Sequence, residues 1–205
     1  MTSGARAGEP MADTFHAGHK DLTETRLDGE AVYDGVLLHV RRDTVRVPNG
    51  QQAIREYVDH PGAVMIIPIL DSGELLMERQ YRYPLGRELL ELPAGKIDPG
   101  EATLATAKRE LREETGYVAG EWRFVTTMHP LCAYSTERIE VWLAKRLAHE
   151  GRALDDGEFL ETLPVPLATA IEWVRVGRIS DAKTIIGVLW AEKILAGAWP
   201  EPPAS

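Results

Sequence analysis

The chain has 205 residues, a net charge of −9 and one cysteine, Cys132. This length fits one domain with a small appendage, and the acidic charge argues against a nucleic-acid-binding surface, which needs a basic stripe. A lone cysteine excludes an intrachain disulfide and fits a reducing, cytoplasmic compartment. No apolar run reaches about 18 residues, so we expect no membrane-spanning helix and no membrane partner. Residues 1–25 lack the apolar core of a signal peptide and are predicted to be a disordered tail.

Residues 26–60 predict a small β domain. The valine-rich segment 31–47 partly alternates between apolar and polar residues, which predicts two strands with Arg41-Arg42-Asp43 between them. Pro48-Asn49-Gly50 is a turn signal, and residues 51–58 predict a third strand.

Residues 61–197 predict a second, larger domain, followed by a flexible tail at 198–205. The continuous apolar run 63–70 is typical of a buried strand, and residues 74–81 are its expected hairpin partner. Helices are expected at 102–115, with Gly116 as a left-handed cap, at 167–177, and at 181–195, with Asp181 as N-cap. Four further strands are expected, at 88–92, 122–128, 139–144 and 159–165. The mixture predicts an α+β fold.

The helix at 102–115 carries an unusual concentration of charge. One side of it is apolar and suits packing on a sheet, whereas Glu110, Glu113 and Glu114 lie beside that side near the helix C-terminus. The negative end of the helix dipole makes this place unfavourable for carboxylates. A hard divalent cation such as Mg²⁺ would relieve the repulsion, and the alternative is a solvated acidic helix face.

The stretch 95–117 resembles the Nudix box. That motif reads glycine, five residues, Glu, seven residues, Arg-Glu, an apolar residue, any residue, Glu-Glu, any residue, glycine, and an apolar residue. The matching positions are Gly95, Glu101, Arg109, Glu110, Leu111, Glu113, Glu114 and Gly116. Tyr117 stands where the family usually has an aliphatic residue. The resemblance implies a Nudix α/β/α sandwich with a mixed sheet, preceded by the small N-terminal antiparallel β-sheet domain.

The resemblance also implies a metal site formed by a loop, a helix and a second loop. Glu110 and Glu114 are the expected catalytic ligands of Mg²⁺, for which Mn²⁺ is a substitute. Glu113 and the carbonyl of Ala94 are expected to assist. Arg109 is expected to pair with Glu101 and hold the helix against the loop.

Two segments outside the box are similar to the ADP-ribose pyrophosphatase and nucleoside diphosphate sugar hydrolase branch. They are Gln80-Tyr81-Arg82-Tyr83-Pro84 and the run 88–95, which contains Glu91. The resemblance implies a nucleotide-sugar substrate bound by Arg82 and Glu91, with Arg82 on the phosphates or the terminal ribose. A guanidinium fork suits diphosphate oxygens. The alternative for Arg82 is a surface arginine in a hairpin. Arg55 is expected to contact the nucleotide across a homodimer formed by the N-terminal domain.

A general base for the attacking water is expected in the acidic loop 155–161, which resembles the loop that supplies it in this branch. Glu158 matches best, and Glu137 is the rival, either as the base or as a metal or substrate contact. Cys132 stands where the branch usually has a proline, which favours a wider range of nucleotide sugars. Cys132 itself is expected to be a small buried residue.

The implied reaction is Mg²⁺-dependent hydrolysis of ADP-ribose, or of a related nucleoside diphosphate sugar, to a nucleoside monophosphate and a sugar phosphate. One alternative is a Nudix hydrolase of dinucleoside polyphosphates or oxidised nucleotides, which gives no reason for the N-terminal strands. The other is a non-enzymatic nucleotide-sugar sensor. Sensors of this kind typically lose box carboxylates, and this chain keeps them all.

Overall fold

The N-terminal part of the chain forms a separate three-stranded sheet. The structure is a computed structural model that describes residues 20–151 and 159–204. Strands β1 (Thr25–Asp34), β2 (His39–Arg46) and β3 (Gln52–Val58) pair antiparallel in the order β1-β2-β3. The predicted third strand is therefore confirmed. Of the predicted disordered tail, residues 1–19 lie outside the described part of the chain.

The turn between the first two strands was predicted at the wrong place. The chain turns at residues 35–38, and Arg41, Arg42 and Asp43 lie inside β2. Charged residues are accommodated there because β2 is the central strand and its neighbours supply partners. Asp43 is buried. Arg26 Nε forms an ion pair with Asp43 Oδ2 at 3.0 Å, and the Tyr57 hydroxyl donates to the same oxygen at 3.0 Å.

The centre of the larger part is a four-stranded mixed sheet in the order β7-β4-β9-β8. Its members are β4 (Ala63–Pro68), β7 (Ala94–Lys96), β8 (Tyr117–Met128) and β9 (Ile139–His149). Strand β4 pairs parallel with β9 and antiparallel with β7, and all of its residues are buried. Burial on both faces is what the continuous apolar run predicts.

A second sheet of this part has the order β10-β5-β6, with β5 (Leu75–Arg82), β6 (Arg87–Glu91) and β10 (Leu160–Val165). The predicted hairpin between residues 63–70 and 74–81 is wrong. The two segments are linked by just the isolated bridge Ile69–Leu75 and a hydrogen bond from the Leu70 amide to the Glu74 carbonyl at 2.9 Å, because β7 and β9 already occupy both edges of β4. Strand β5 instead pairs with β6, across a 3₁₀ turn at Tyr83–Leu85, and with β10.

Helices cover both faces of the central sheet. Helix α1 (Thr103–Glu110) continues into a π-helical turn, Leu111–Thr115, and Gly116 ends it at φ 78°. Helices α2 (Leu167–Arg175) and α3 (Ala182–Leu195) follow, and Asp181 caps α3 by accepting from the Thr184 amide at 3.0 Å. Within the described ranges, no helix has the length and apolarity needed to cross a membrane.

Alternate residues of β4 serve two apolar cores. Val64 and Ile66 pack with Leu111 on the α1 side, whereas Met65 and Ile67 pack with residues of α3 on the other side. The helix–sheet–helix layering and the small separate sheet confirm the predicted α+β fold class.

The C-terminal segment 198–204 contacts the body of the protein. The Trp199 ring packs edge-on against Trp190, with 4.4 Å between centroids. Arg123 Nη1 donates to the carbonyl of Pro202 at 2.6 Å, and Glu201 forms an ion pair with Lys145. The stretch predicted as a flexible tail is thus tied to β8 and β9 through its side chains and backbone.

Candidate active site

The junction of β7 and α1 brings the box residues together. An added Cβ atom at Gly95 would lie 1.9 Å from the carboxyl carbon of Glu110, so a side chain at this position of β7 would force the Glu110 carboxylate to move. One residue earlier, the amide of Ala94 donates to Glu114 Oε2 at 3.1 Å. The loop therefore meets the helix through two consecutive residues, and each of them meets a different predicted metal ligand.

Arg109 connects the remaining acidic residues of the box. Its Nη2 lies 3.0 Å from Glu101 Oε2, which confirms the expected pair. Its Nη1 donates to Glu110 at 2.8 Å and to Glu113 at 3.0 Å. Hydrogen bonds from Arg109 lower the pKa of Glu101 to about 2, and the same contacts raise the pKa of Arg109. Arg109 is thus the common partner of Glu101, Glu110 and Glu113, and Asp98 lies 4.0 Å from its Nη2.

The predicted helix 102–115 differs from the observed one in its last turn. Residues Leu111–Thr115 form a π-helical turn, and Thr115 Oγ1 bonds back to the Leu111 carbonyl. Such turns occur frequently at functional sites. Here the turn carries Glu114, whose side chain is buried and accepts the Ala94 amide. No pattern of residues in this segment indicates the irregularity.

The carboxylates suit a hard divalent cation in their chemistry. Glu110, Glu113 and Glu114 supply only oxygen donors, and the missing side chain of Gly95 leaves the Glu110 carboxylate close to the loop backbone. As the side chains stand, residues 20–151 and 159–204 contain no group of three His, Cys, Asp or Glu placed to hold a metal. Arg109 engages Glu110 and Glu113 in this arrangement.

A cavity of about 480 Å³ opens beside this junction. Four predicted site residues line it, namely Arg82, Glu91, Ala94 and Glu137. His60, Lys96, Asp181 and Lys183 also line it and were missed by sequence reasoning. Arg82 and Glu91 therefore share this cavity with Ala94 and Gly95, the two residues that contact the acidic helix end.

Arg82 and Glu91 form the best-defined ion pair of the cavity. Arg82 Nε lies 2.7 Å from Glu91 Oε1 and Nη2 lies 2.8 Å from Oε2, a bidentate arrangement. Lys183 Nζ binds the same carboxylate and lies 3.0 Å from Asp181 Oδ2. Burial opposes ionisation of Glu91, but the hydrogen bond from Arg82 and the charge of Lys183 outweigh it and lower the pKa of Glu91.

Glu137 faces His60 across another part of the wall. His60 Nε2 lies 4.0 Å from Glu137 Oε1, and His60 Nδ1 accepts the amide of Gly62 at 3.0 Å. The Glu137 backbone is held by its amide, which donates to Ser135 Oγ at 3.1 Å. His60 precedes a buried strand by three residues, and no pattern in the sequence connects it with Glu137.

Two residues singled out from the sequence, Arg55 and Cys132, lie elsewhere. Arg55, in the N-terminal sheet, forms an ion pair with Glu24 and lines a separate cavity of about 290 Å³. Cys132 lines that second cavity and is exposed, so the expectation that it is buried was wrong. It lies in the turn between β8 and β9. Glu158, the predicted base, lies outside the described residues.

Comparisons with known proteins agree with this arrangement. Residues 59–186 match the family model described as NUDIX domain, and residues 24–58 match the nucleoside diphosphate sugar hydrolase N-terminal domain. The chain is 37% identical over 175 residues to the ADP-ribose pyrophosphatase of Bacillus subtilis (strain 168), covering 84% of this chain and 95% of that protein. It is 38% identical over 180 residues to the ADP-ribose pyrophosphatase of Mycobacterium tuberculosis (strain ATCC 25618 / H37Rv), covering 86% and 87%.

A solved structure has the same fold. The crystal structure of an ADP compounds hydrolase superposes with a TM-score of 0.77 at 27% identity, covering 88% of this chain and 98% of that one. The matched NUDIX region contains the Gly95 loop, helix α1 and the cavity beside them. The chain therefore belongs to the Nudix family of hydrolases.

Proposed function

We propose that this Nudix enzyme hydrolyses the diphosphate bond of ADP-ribose or a related nucleoside diphosphate sugar, giving a nucleoside monophosphate and a sugar phosphate. The observation that carries the proposal is the meeting of the box carboxylates with the Ala94-Gly95 loop, directly beside a cavity that contains Arg82. Similarity to two ADP-ribose pyrophosphatases supports the substrate class.

Nudix hydrolases generally use a divalent metal ion. We propose that it is Mg²⁺, with Mn²⁺ as a substitute, and that Glu110, Glu113, Glu114 and the Ala94 carbonyl hold it. When bound, this ion supplies charge neutralisation for the diphosphate and favours deprotonation of the attacking water. Carboxylate oxygens together with substrate phosphates are the environment that Mg²⁺ prefers, and the residues present at the loop–helix junction fit that requirement.

The protein residues then bind and orient the substrate. Glu91 holds Arg82 in place by binding its Nε and Nη2 groups, which leaves Nη1 and the second hydrogen of Nη2 to bind diphosphate oxygens. Glu158 accepts the proton of the attacking water, and Glu137 is the alternative base from the cavity wall. Arg109 and Glu101 keep the helix against the loop. Positioning and charge neutralisation dominate the rate, as in phosphoryl transfer generally.

The N-terminal sheet favours this substrate class over the other Nudix activities. Residues 24–58 match a domain described for nucleoside diphosphate sugar hydrolases. The alternative activity, hydrolysis of dinucleoside polyphosphates or oxidised nucleotides, does not account for such a domain. A non-enzymatic sensor is disfavoured because Glu110, Glu113 and Glu114 are all retained. We place the enzyme in the cytoplasm, which agrees with its lone cysteine.

We further propose that the protein is a homodimer joined by its N-terminal domain, 26–60, with 61–197 as the catalytic domain. The turn between β1 and β2 exposes three consecutive apolar side chains, Val36, Leu37 and Leu38, and a clustered apolar surface marks an interaction site. Arg55 contacts the nucleotide of the partner subunit in this arrangement, because within its own chain it lines a different cavity from Arg82.

The deciding experiment is a substrate panel. ADP-ribose, ADP-glucose, GDP-mannose and UDP-glucose are incubated with the protein, with and without Mg²⁺, and phosphate is measured after a phosphatase step. We expect release that depends on the metal and is fastest for one of these compounds. No release from any of them, alongside turnover of a dinucleoside polyphosphate, would overturn the proposed substrate class.

A further inference from the structure

Lys183 lies where helix electrostatics disfavour a cation. It is the second residue of α3, and the N-terminus of a helix carries a partial positive charge. Its side chain is only 13% exposed, and burying an ammonium group requires compensating charges. Lys183 therefore destabilises the first turn of α3, and we expect its positive charge to serve the neighbouring site instead.

Two carboxylates of the cavity wall supply that compensation. Lys183 Nζ binds Glu91, and it lies 3.0 Å from Asp181 Oδ2. Asp181 in turn accepts the Thr184 amide as the cap of α3. The ammonium group is thereby fixed between a β6 residue and the helix cap, and it faces the same cavity as Arg82.

Four of the charged groups that line the cavity are linked by ion pairs and balance one another. Arg82 and Lys183 are cations, and Glu91 and Asp181 are anions. Glu91 is the shared partner, because one carboxylate receives both the Arg82 fork and the Lys183 ammonium. Without Lys183, Glu91 alone would neutralise Arg82 and the charge of Asp181 would remain. The wall would then repel a diphosphate, since like charges at short range raise the free energy of binding.

We propose that Lys183 is a positioning residue that sets the charge of this wall, compensating Glu91 and Asp181 so that the charge of Arg82 remains available to the substrate diphosphate. The inference rests on the proposed function, in which Arg82 binds that diphosphate. Lys183 acts through Glu91, so its effect falls mainly on substrate binding rather than on the chemical step. If Lys183 had a purely structural role, its replacement would change the stability of α3, and the KM values of the variants would not follow the charge of the cavity wall.

The test compares three variants by their charge. Lys183→Met makes the wall more negative by one charge, Asp181→Asn makes it more positive by one, and the double variant restores the balance. Asparagine also caps helices well, so α3 keeps its start. With ADP-ribose and saturating Mg²⁺, we expect Lys183→Met to raise KM about tenfold with kcat changed less than about threefold.

The remaining variants should follow the sign of the charge. Asp181→Asn should lower KM, and the double variant should return KM to within about threefold of the wild-type value. Lys193→Met is the matched control, because Lys193 lies on the same helix, pairs with Glu192 and does not line the cavity. It changes the net charge of the protein equally and should leave KM unchanged. Thermal melting followed by circular dichroism checks that each variant is folded.

Two results would overturn the inference. One is a KM for Lys183→Met within about twofold of wild type, and the other is a double variant as impaired in KM as Lys183→Met alone. If Lys183→Met does not fold, Asp181→Asn alone decides the question. The charge argument predicts a lower KM for this variant, so a raised KM would contradict it. A wild-type protein that hydrolyses none of the nucleotide sugars would defeat the proposed function instead. ADP-ribose affinity from calorimetry would then still report whether the variants follow the charge order.

Discussion

Gly95 and Glu110 approach so closely that a side chain at position 95 would displace the Glu110 carboxylate, since a Cβ atom there would lie 1.9 Å from its carboxyl carbon. The contact joins strand β7 to the last residue of α1. The position of the predicted metal ligand Glu110 therefore depends on Gly95, a residue without a side chain. This dependence can be tested directly.

Gly95→Ala should displace the Glu110 carboxylate and lower kcat by at least about a hundredfold, because sub-ångström placement of catalytic groups controls the rate. The measurement is steady-state turnover of ADP-ribose, with thermal melting as a check of folding. Gly120→Ala is the control. Its Cβ would make only ordinary contacts, 3.4 Å from the Cβ of Arg146 at the closest. Equal activity of the two variants would contradict the argument.

Glu114→Gln should lower kcat by about two to three orders of magnitude while the protein stays folded. Glutamine keeps the shape of the side chain and an oxygen that can accept the Ala94 amide, but it removes the negative charge that a divalent ion needs. Turnover is measured across a titration of Mg²⁺. Glu192→Gln, on α3, is the charge-matched control. Near-normal turnover of Glu114→Gln would remove Glu114 from the metal site.

Arg82→Lys should raise KM for ADP-ribose about tenfold or more, because an ammonium group cannot reproduce the bidentate geometry of the guanidinium fork. Arg79→Lys provides the matched control on the same strand. Arg79 pairs with Glu88 and Glu161 and does not line the main cavity. Arg79→Lys should stay within about twofold of wild type. Similar values for the two variants would argue against Arg82 as the diphosphate ligand.

Glu101 should make the stability of the protein depend on pH in the acidic range. Its pKa is about 2 in the folded protein and 4.5 ordinarily. A lowered folded-state pKa contributes stability that is present above 4.5 and is lost as the pH falls toward 2. The urea midpoint of wild type should therefore exceed that of Glu101→Gln at pH 7 by more than it does near pH 3. A gap that stays constant between these two pH values would show that Glu101 and Arg109 are not coupled as the structure indicates.

The exposed apolar turn of the N-terminal sheet should mediate self-association. Sedimentation velocity over a concentration series should give a dimer for wild type and a weakened dimer for Leu37→Asp, because a carboxylate cannot be buried at an apolar interface without a partner. Val176→Asp, at the end of α2, places the same change on a different exposed apolar residue. A wild-type protein that is monomeric at all concentrations would contradict both the dimer and the role of Arg55.

Local patterns in the sequence predicted much of the fold and of the site. The box spacing placed Gly95, Glu110 and Glu114 at one loop–helix junction, and Asp181 was recognised as the cap of α3. These features depend on neighbours within a few residues or within one motif. The prediction that residues 74–81 pair with β4 was wrong because distant strands compete for the edges of β4. Strand β9, which pairs with β4, lies more than 70 residues further along the chain.

The site residues that were not predicted from the sequence also depend on contacts between distant segments. His60 and Lys183 enter the cavity from segments far from the box, so their partners Glu137 and Glu91 become neighbours only in the folded chain. One signal was available for Lys183, since a cation in the first turn of a helix contradicts the dipole rule. The π-helical turn had no such signal, because its register depends on packing between the helix end and the sheet.

The amide of Gly62 determines which atom of the His60 ring bears hydrogen. Because that amide donates to Nδ1, the neutral imidazole must carry its proton on Nε2, the nitrogen turned toward Glu137. Gly62 has a φ of 98°, a backbone conformation that L side chains rarely adopt. A turn outside the motif thus selects the ring tautomer, and the neutral histidine can only give a hydrogen bond to whatever occupies that side of the cavity.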